Sequence, residues 1–290
     1  MIAGTGAFLY FTFSANQIIN QGTRFAPYQI VIGIIGIAAL IELTRRCVGL
    51  PILFVAGFFL IYALAVGLTN PAFLGRVKFL VRNLFYTKEG IFSTPVNVCS
   101  KYIVVFIIFG AFLERTGISN FFIQLANCIA GKYAGGPAKV AVISSALCGM
   151  VSGSSVGNTV TTGSVTIPMM KDTGYKPEFA GAVEAASSTG GQIMPPIMGA
   201  AAFLMADFVG VPYSNIIVRA ILPALLYFTG IFISVHLEAK KLGLSGIPKE
   251  KLPVFKLLIR KIYLLLPLVM LVIWVSGNYM TMQKAASYAI

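Results

Sequence analysis

The chain has 290 residues, of which 57% are hydrophobic and 11% are charged. Soluble domains carry about 25% charged residues, so composition excludes a soluble fold, which could not bury this much apolar surface. The net charge of +13 would suggest nucleic acid in a soluble protein, but here the basic residues lie in short segments between apolar stretches, a pattern of membrane topology. We therefore expect an all-α, polytopic protein whose surroundings are the lipid bilayer, with no nucleic-acid partner.

Stretches nearly free of charge recur along the chain and predict membrane-spanning helices over residues 28–43, 50–68, 96–113, 214–235 and 262–276. Each has roughly the length needed to cross about 30 Å of hydrocarbon at about 1.5 Å per residue. The N-terminal stretch lacks the basic leader and the cleavage site of a signal peptide. The longest polar stretch follows the fourth span, and we predict that residues 237–261 form a cytoplasmic loop, because Lys and Arg concentrate on that side. Its basic residues are Lys240, Lys241, Lys249, Lys251, Lys256, Arg260 and Lys261.

Two apolar arms before that span, 137–151 and 156–170, are too short to cross by about five residues each. Lysines flank the outer end of both arms, and small polar residues separate them. This pattern predicts a re-entrant hairpin over 137–170 that enters from the cytoplasm. Non-helical backbone at that depth persists only where protein or a water-filled site satisfies it.

The tip of the predicted hairpin is rich in glycine, hydroxyl groups and one amide. Glycine allows a sharp turn that exposes carbonyl oxygens, and the side chains add further oxygen ligands, as a hard cation such as sodium requires. The alternative is a patch of small residues for close helix packing. The candidate ligands are Ser152, Gly153, Ser154, Ser155 and Asn158.

The apolar segment 178–208 contains a second interruption. Two adjacent prolines remove two backbone donors, and a preceding Gly-Gly pair adds flexibility, so we predict two half-helices around an unwound centre. A plain proline kink is the alternative. Together the two interruptions predict one ion or solute site near the middle of the membrane, with candidate residues Ser188, Thr189, Gly190, Gly191, Gln192, Pro195 and Pro196.

Two acidic residues lie near the second interruption. An ionisable group in a spanning segment suggests function, because its burial is costly. Glu184 is a possible coupling residue, whereas Asp207 could simply end the outer half-helix.

Residues 153–157 also fit the G-x-S-x-G pattern of a hydrolase, and Asp207 and His236 follow in the order Ser, Asp, His. A membrane serine hydrolase is nevertheless a poor reading. The hydrolase pattern requires a buried strand of a soluble sheet before the serine, whereas both flanking arms here are predicted to be embedded in the membrane, and His236 lies at the start of the predicted cytoplasmic loop. We expect no enzyme.

Several ordered motifs between Gly110 and Pro223 resemble the large permease subunit of TRAP (tripartite ATP-independent periplasmic) transporters. The closest likeness is to the fused permeases that work with TAXI-type binding proteins. The residues that carry it are 109–114, 135–141, 152–155, 167–170, 174–175, 179–185 and 188–203.

The resemblance implies a sodium-driven secondary importer of small organic acids in a bacterial or archaeal inner membrane, with a periplasmic TAXI-type solute-binding protein as partner. It implies no cofactor, only sodium as the coupling ion. Such permeases have two inverted repeats and an elevator motion. By likeness, the tip is Ser152–Asn158 and the unwound centre Thr189–Pro196, which would face each other around one sodium ion.

Only one hairpin and broken-helix unit is found, so the resemblance implies part of a fused permease whose remainder is a further partner. A non-transporting fragment or membrane scaffold is the alternative. The expected parts are a small-subunit remnant, scaffold helices, half a transport domain, the cytoplasmic loop and the start of a second repeat, over residues 1–27, 28–95, 96–236, 237–261 and 262–290.

Overall fold

The computed structural model describes residues 2–21, 25–66, 72–248, 250, 252–253, 255–277 and 279–290. Within these ranges the regular elements are helices and no strand occurs. The all-α prediction is therefore confirmed. Lys249, Lys251 and residues 22–24 of the predicted N-terminal segment lie outside the described residues, and the roles predicted for the individual parts of the chain stay predictions. The structure divides into two compact units, Met1–Asn97 and Val98–Ile290.

The first unit contains α1 to α4 and most of α5, with bounds Ile2–Gln21, Pro27–Cys47, Leu50–Val66, Phe73–Phe85 and Thr94–Val98. Its core forms around Phe85, which is fully buried. Gly36 lets α2 approach this ring, because an added Cβ would meet a carbon of Phe85. In contrast, α3 is apolar on all sides and has no buried residue. Such a helix requires lipid or further protein around it.

The second unit begins with a π-helical turn, Cys99–Ile103, that connects α5 to α6. The helices that follow, α6 to α15, are Val104–Arg115, Ile118–Ala130, Gly136–Ser152, Ser155–Asp172, Pro177–Gly191, Ala200–Val209, Tyr213–Lys241, Phe255–Ile259, Leu266–Ser276 and Met282–Tyr288. The hairpin helices α8 and α9 pack against α10, and α7 and α12 pack against α8.

Among the described residues, three helical runs are long and apolar enough to cross a membrane, namely Pro27–Cys47, Thr94–Arg115 and Tyr213–Lys241. They contain the predicted spans 28–43, 96–113 and 214–235. The predicted span 50–68 corresponds to the shorter α3, and its last two residues lie outside the described part of the chain. The predicted span 262–276 is a single turn of 3₁₀-helix followed by α14, and is also short.

The predicted hairpin is formed by α8 and α9, which have 17 and 18 residues. At about 1.5 Å per residue each arm falls short of the roughly 30 Å hydrocarbon core. Only Gly153 and Ser154 separate the two helices. Gly153 has a φ of +61°, which favours glycine. Ser154 is the N-cap of α9, since its Oγ accepts a hydrogen bond from the Gly157 N–H at 3.2 Å.

The predicted broken helix consists of α10 and α11, which are separated by the non-helical residues 192–199. This break, here called the interhelix loop, begins later than the predicted centre at Thr189. The prolines remove donors only at their own positions. The N–H groups of Gln192, Ile193 and Met194 still donate backwards to carbonyls three residues earlier, which tapers the end of α10. The helix resumes only at Ala200.

Close backbone contact joins α8 to α10 where Gly149 meets Gly191. A Cβ added at Gly149 would lie 2.4 Å from the Gly191 Cα, and one at Gly191 would lie 2.6 Å from the Gly149 Cα. At the same level, a Cβ at Gly190 would lie 2.5 Å from the ring of Tyr227 on α12. The glycine pair predicted to supply flexibility therefore also serves close packing.

This contact predicts that Gly149→Ala destabilises the protein by about 1–3 kcal/mol, as overpacking of a close contact does. The matched control is Gly181→Ala on α10, where an added Cβ meets nothing within 4 Å, and which should be neutral or stabilise by up to about 1 kcal/mol. Thermal denaturation of the purified variants measures both. Equal melting temperatures for the two variants would contradict the packing role.

Candidate functional site

The hairpin tip and the interhelix loop lie against each other. The Ile197 N–H donates to the Met150 carbonyl at 3.2 Å, and Gln192 Nε2 donates to Ser155 Oγ at 3.0 Å. The backbones approach closely at Gly153, where an added Cβ would lie 3.0 Å from the Met198 carbonyl oxygen. The two interruptions predicted separately from the sequence thus form one region, here called the tip–loop junction, made of residues 150–158 and 188–199.

The interhelix loop uses its backbone donors but not all its acceptors. Beyond the three N–H groups that bond back to α10, the Gly199 N–H donates to the Gln192 carbonyl at 2.7 Å. Within the described part of the chain, no donor reaches the carbonyl oxygens of Met194 and Pro195. Met194 and Pro195 are both partly exposed, and carbonyl oxygens without a protein donor can accept hydrogen bonds from water or act as ligands of a cation. These two carbonyls are therefore candidate ligands for a cation.

Tyr213, at the start of α12, holds the middle of the interhelix loop. Its hydroxyl donates to the Pro196 carbonyl at 3.0 Å and accepts from the Met198 N–H at 3.3 Å. Its buried ring stacks on Phe203 of α11, with 4.6 Å between centroids. One side chain thus satisfies both a donor and an acceptor that the broken helix leaves without helical partners.

Glu184 is completely buried one helical turn before Ser188. Its Oε1 accepts hydrogen bonds from Ser145 Oγ at 2.6 Å, Thr162 Oγ1 at 2.5 Å and Ser188 Oγ at 3.0 Å, and its Oε2 accepts one from Thr166 Oγ1 at 2.5 Å. These donors come from both hairpin helices and from α10 itself. The carboxyl group therefore connects the hairpin to the first half of the broken helix.

Asn158 links this network to the junction. Its Nδ2 donates to the Ser145 carbonyl at 2.9 Å and to Ser188 Oγ at 3.2 Å. Asn158 is only 1% exposed, and its Oδ1 is buried without a hydrogen-bond partner in the described structure. A buried amide oxygen without a donor is costly, and a bound cation would satisfy it.

The remaining predicted site residues divide into two groups. Those with polar groups at the junction but partly or fully open to the outside are Ser152, Ser154, Ser155, Thr189 and Gln192. Those whose contacts are with backbone or aromatic rings are Gly153, Gly190, Gly191 and Pro196. Pro195 is partly buried, and the Pro195–Pro196 peptide is cis. Asp207 is exposed on α11 and lines a small cavity beside Tyr213, away from Asn158.

The chain matches the family model described as "Tripartite ATP-independent periplasmic transporter, DctM component" over residues 35–290. This chain belongs to the DctM family. It is 27% identical over 189 residues to the C4-dicarboxylate TRAP transporter large permease protein DctM of Pseudomonas aeruginosa, covering 65% of this chain and 43% of the relative. It is 26% identical over 144 residues to the sialic acid TRAP transporter permease protein SiaT of Haemophilus influenzae, covering 50% and 23%. The isethionate permease DctMQ of Oleidesulfovibrio alaskensis is 29% identical over 152 residues, covering 51% and 24%.

The DctM-family chain spans less than half the length of the curated relatives it matches. The family match confirms the resemblance to TRAP large permeases, and the protein is a multi-pass membrane protein. The relatives whose names state a role are named as transporter permeases and not as enzymes.

The geometry of this DctM-family chain also excludes the alternative serine hydrolase. His236 contacts Lys139 at 3.0 Å between Nδ1 and Nζ, near the start of α8. Ser155, the serine of the G-x-S-x-G pattern, lies beyond the opposite end of the same helix, and thirteen residues of helix separate Lys139 from Ser152 by about 20 Å. No strand precedes the serine in the described residues. The histidine therefore cannot act as its base.

Sequence reasoning missed several residues that shape the site in this DctM-family chain: Ser145, Thr162, Thr166, Gly149 and Tyr213. One signal was available for α9, because Asn158, Thr162 and Thr166 recur at a spacing of four and so share one face of the helix. That face carries the hydrogen bonds to Glu184 and α10. For Tyr213 no local pattern distinguishes it from any aromatic residue at a helix start.

In this DctM-family chain, Tyr213→Phe should destabilise the protein by about 1–3 kcal/mol, because it leaves a buried donor and a buried acceptor unpaired. The control is Tyr227→Phe, which removes a partly exposed hydroxyl that donates to the Ala186 carbonyl at 2.9 Å. It should cost less than about 1 kcal/mol. Melting temperatures of the two variants provide the comparison, and a larger loss for Tyr227→Phe would refute the role of Tyr213.

Proposed function

We propose that this chain forms part of a sodium-coupled TRAP permease in which the tip–loop junction binds one sodium ion and borders the transported solute. The observation that carries the proposal is the buried Asn158 Oδ1, which has no hydrogen-bond partner in the described structure and belongs to a side chain beside the close contact of Gly149 and Gly191. Sodium prefers several oxygen ligands and no donors in its shell. The junction supplies that chemistry from side chain and backbone together.

A small ion fits the junction better than an organic cation, because the close backbone approach at Gly153 leaves little room. The solute would then lie beside the ion, on the more open side formed by Ser154, Ser155 and Gln192. These hydroxyl and amide groups can donate hydrogen bonds to a carboxylate or sulfonate. A bound sodium ion would add positive charge next to such an anion.

The proposed substrate is a small organic acid. The named relatives are permeases for C4-dicarboxylates, sialic acid and isethionate, and these share an acidic group. We propose that a periplasmic binding protein of the TAXI type delivers the acid and that the protein resides in a bacterial or archaeal inner membrane. Residues 237–261, which comprise the end of α12, the short helix α13 and the segment between them, would face the cytoplasm. The rest of the permease would complete the solute cavity.

Sodium alone can supply the energy. One sodium ion that enters across about 100 mV releases about 2.3 kcal/mol, and a tenfold concentration gradient adds about 1.4 kcal/mol. The sum would concentrate a neutral solute several hundred-fold per ion. A monovalent acid that enters with one sodium ion moves no net charge, so the concentration gradient alone would drive about tenfold accumulation, and a second coupled ion would add the contribution of the membrane potential. An elevator motion requires the hairpin and the broken helix to move together, and Glu184 connects them through hydrogen bonds from α8, α9 and α10.

The proposal predicts that Asn158→Ala in the complete permease raises the sodium concentration for half-maximal uptake by about tenfold or more, because it removes a ligand oxygen. Uptake into proteoliposomes, with the binding protein present and with potassium as the balancing cation, measures this. Thr159→Ala is the matched control, since Thr159 Oγ1 bonds only within its own helix, to the Ser155 carbonyl at 2.8 Å. Uptake of equal rate in potassium alone would refute the sodium site.

A further inference from the structure

We infer that Glu184 and Ser188 are positioning residues that fix the orientation of the Asn158 amide, and that they do not bind the ion themselves. The inference rests on the proposed sodium site and names its ligand atom as Asn158 Oδ1. It also gives Glu184 a role other than direct coupling and gives Ser188 a role other than a sodium ligand.

The orientation of Asn158 follows from its first partner. The Ser145 backbone carbonyl, 2.9 Å from the Asn158 amide, is an acceptor only. The amide atom that faces it must therefore be Nδ2. A rotation of the amide by half a turn would place Oδ1 against that carbonyl oxygen, and two acceptors at this distance repel. Oδ1 is thereby directed away from Ser145, into the position where it has no protein partner.

Ser188 enforces the same orientation from the other side. Its single hydroxyl proton is donated to Glu184 Oε1 at 3.0 Å, so only lone pairs remain for the Asn158 Nδ2 at 3.2 Å. Because the hydroxyl both donates and accepts, and because Ser188 is fully buried, little of its bonding capacity remains for an ion. Ser188 thus acts as a relay between the carboxyl group and the amide.

Glu184 determines the direction of that relay. Without an acceptor at Oε1, a helical serine turns its proton to the carbonyl four residues earlier or to another neighbour. Donors from Ser145 and Thr162 converge on the same oxygen, which fixes the carboxyl group relative to both hairpin helices. The orientation of Asn158 Oδ1 is therefore set by Glu184, which acts through Ser188.

A neighbouring serine provides an unusually close control. Ser187 is also fully buried on α10, but its hydroxyl has no hydrogen-bond partner in the described structure. Ser187→Ala and Ser188→Ala remove the same atom from adjacent buried positions. Only the second removes a hydrogen bond to Asn158.

The test is sodium-dependent thermal stabilisation of the complete permease in detergent, with sodium exchanged for potassium at constant ionic strength. A ligand that binds only the folded state raises the melting temperature in proportion to its saturation, so the titration gives an apparent sodium affinity without transport. We expect Ser188→Ala to weaken this affinity about fivefold to tenfold, the loss of roughly one hydrogen bond. Ser187→Ala should remain within about twofold of the unmodified protein.

Two further variants separate positioning from charge. Glu184→Gln keeps an acceptor oxygen for the Ser188 proton, and should change the affinity less than Ser188→Ala. If Ser188→Ala does not fold, Ser188→Cys, with its weaker thiol hydrogen bonds, should shift the affinity in the same direction. In the Asn158→Ala background, Ser188→Ala should add almost nothing, because residues of one network are not additive.

The outcomes are distinguishable. A protein that sodium does not stabilise relative to potassium lacks the proposed site, and the proposed function fails. A protein that sodium stabilises, but in which Ser188→Ala and Ser187→Ala behave alike, retains the site and overturns the positioning role. A larger loss for Glu184→Gln than for Ser188→Ala would also overturn it, because the charge of Glu184 would then act on the ion directly.

Discussion

Inside a bilayer, a backbone N–H or C=O group without a protein partner cannot bond to water instead, which costs free energy. This cost explains how the helices of the second unit are arranged around their two interruptions. The chain interrupts two helices, at residues 153–154 and at residues 192–199. They persist because each contributes to satisfying the other. The Ile197 N–H bonds to the end of α8, and Tyr213 bonds the Pro196 carbonyl and the Met198 N–H. Groups at the junction that have no hydrogen-bond partner in the described residues include the carbonyls of Met194 and Pro195 and the Oδ1 of Asn158.

That imbalance connects the fold to the proposed function. The carbonyl oxygens of Met194 and Pro195 and the amide oxygen of Asn158 have no donor in the described residues, and these are the atoms that the proposed function assigns to a cation. Close glycine contacts at Gly149 and Gly191 hold the helices near enough for this arrangement. Behind the junction, the hydroxyl groups around Glu184 join α8, α9 and α10. An ion bound at the junction would thus be connected through these hydrogen bonds to all three helices.

Much of this arrangement could be predicted from the sequence, for identifiable reasons. The hairpin follows from the length of two arms, and its turn from a glycine followed by a serine that begins a helix. The break follows from two prolines, which cannot donate. Its start was predicted too early, because the N–H groups of residues 192–194 precede the prolines and still bond backwards. The partners of Glu184 and the role of Tyr213 were beyond reach, since they depend on contacts between helices far apart in sequence.

The central claim is that the hairpin tip and the interhelix loop bind one cation together. Hydrogen–deuterium exchange of the complete permease, in sodium and in potassium at equal ionic strength, tests it most directly. The account predicts that sodium slows exchange in peptides from both 150–158 and 192–199, and leaves the helix at residues 73–85 unchanged. Slower exchange in only one of the two segments, or in neither, would contradict it.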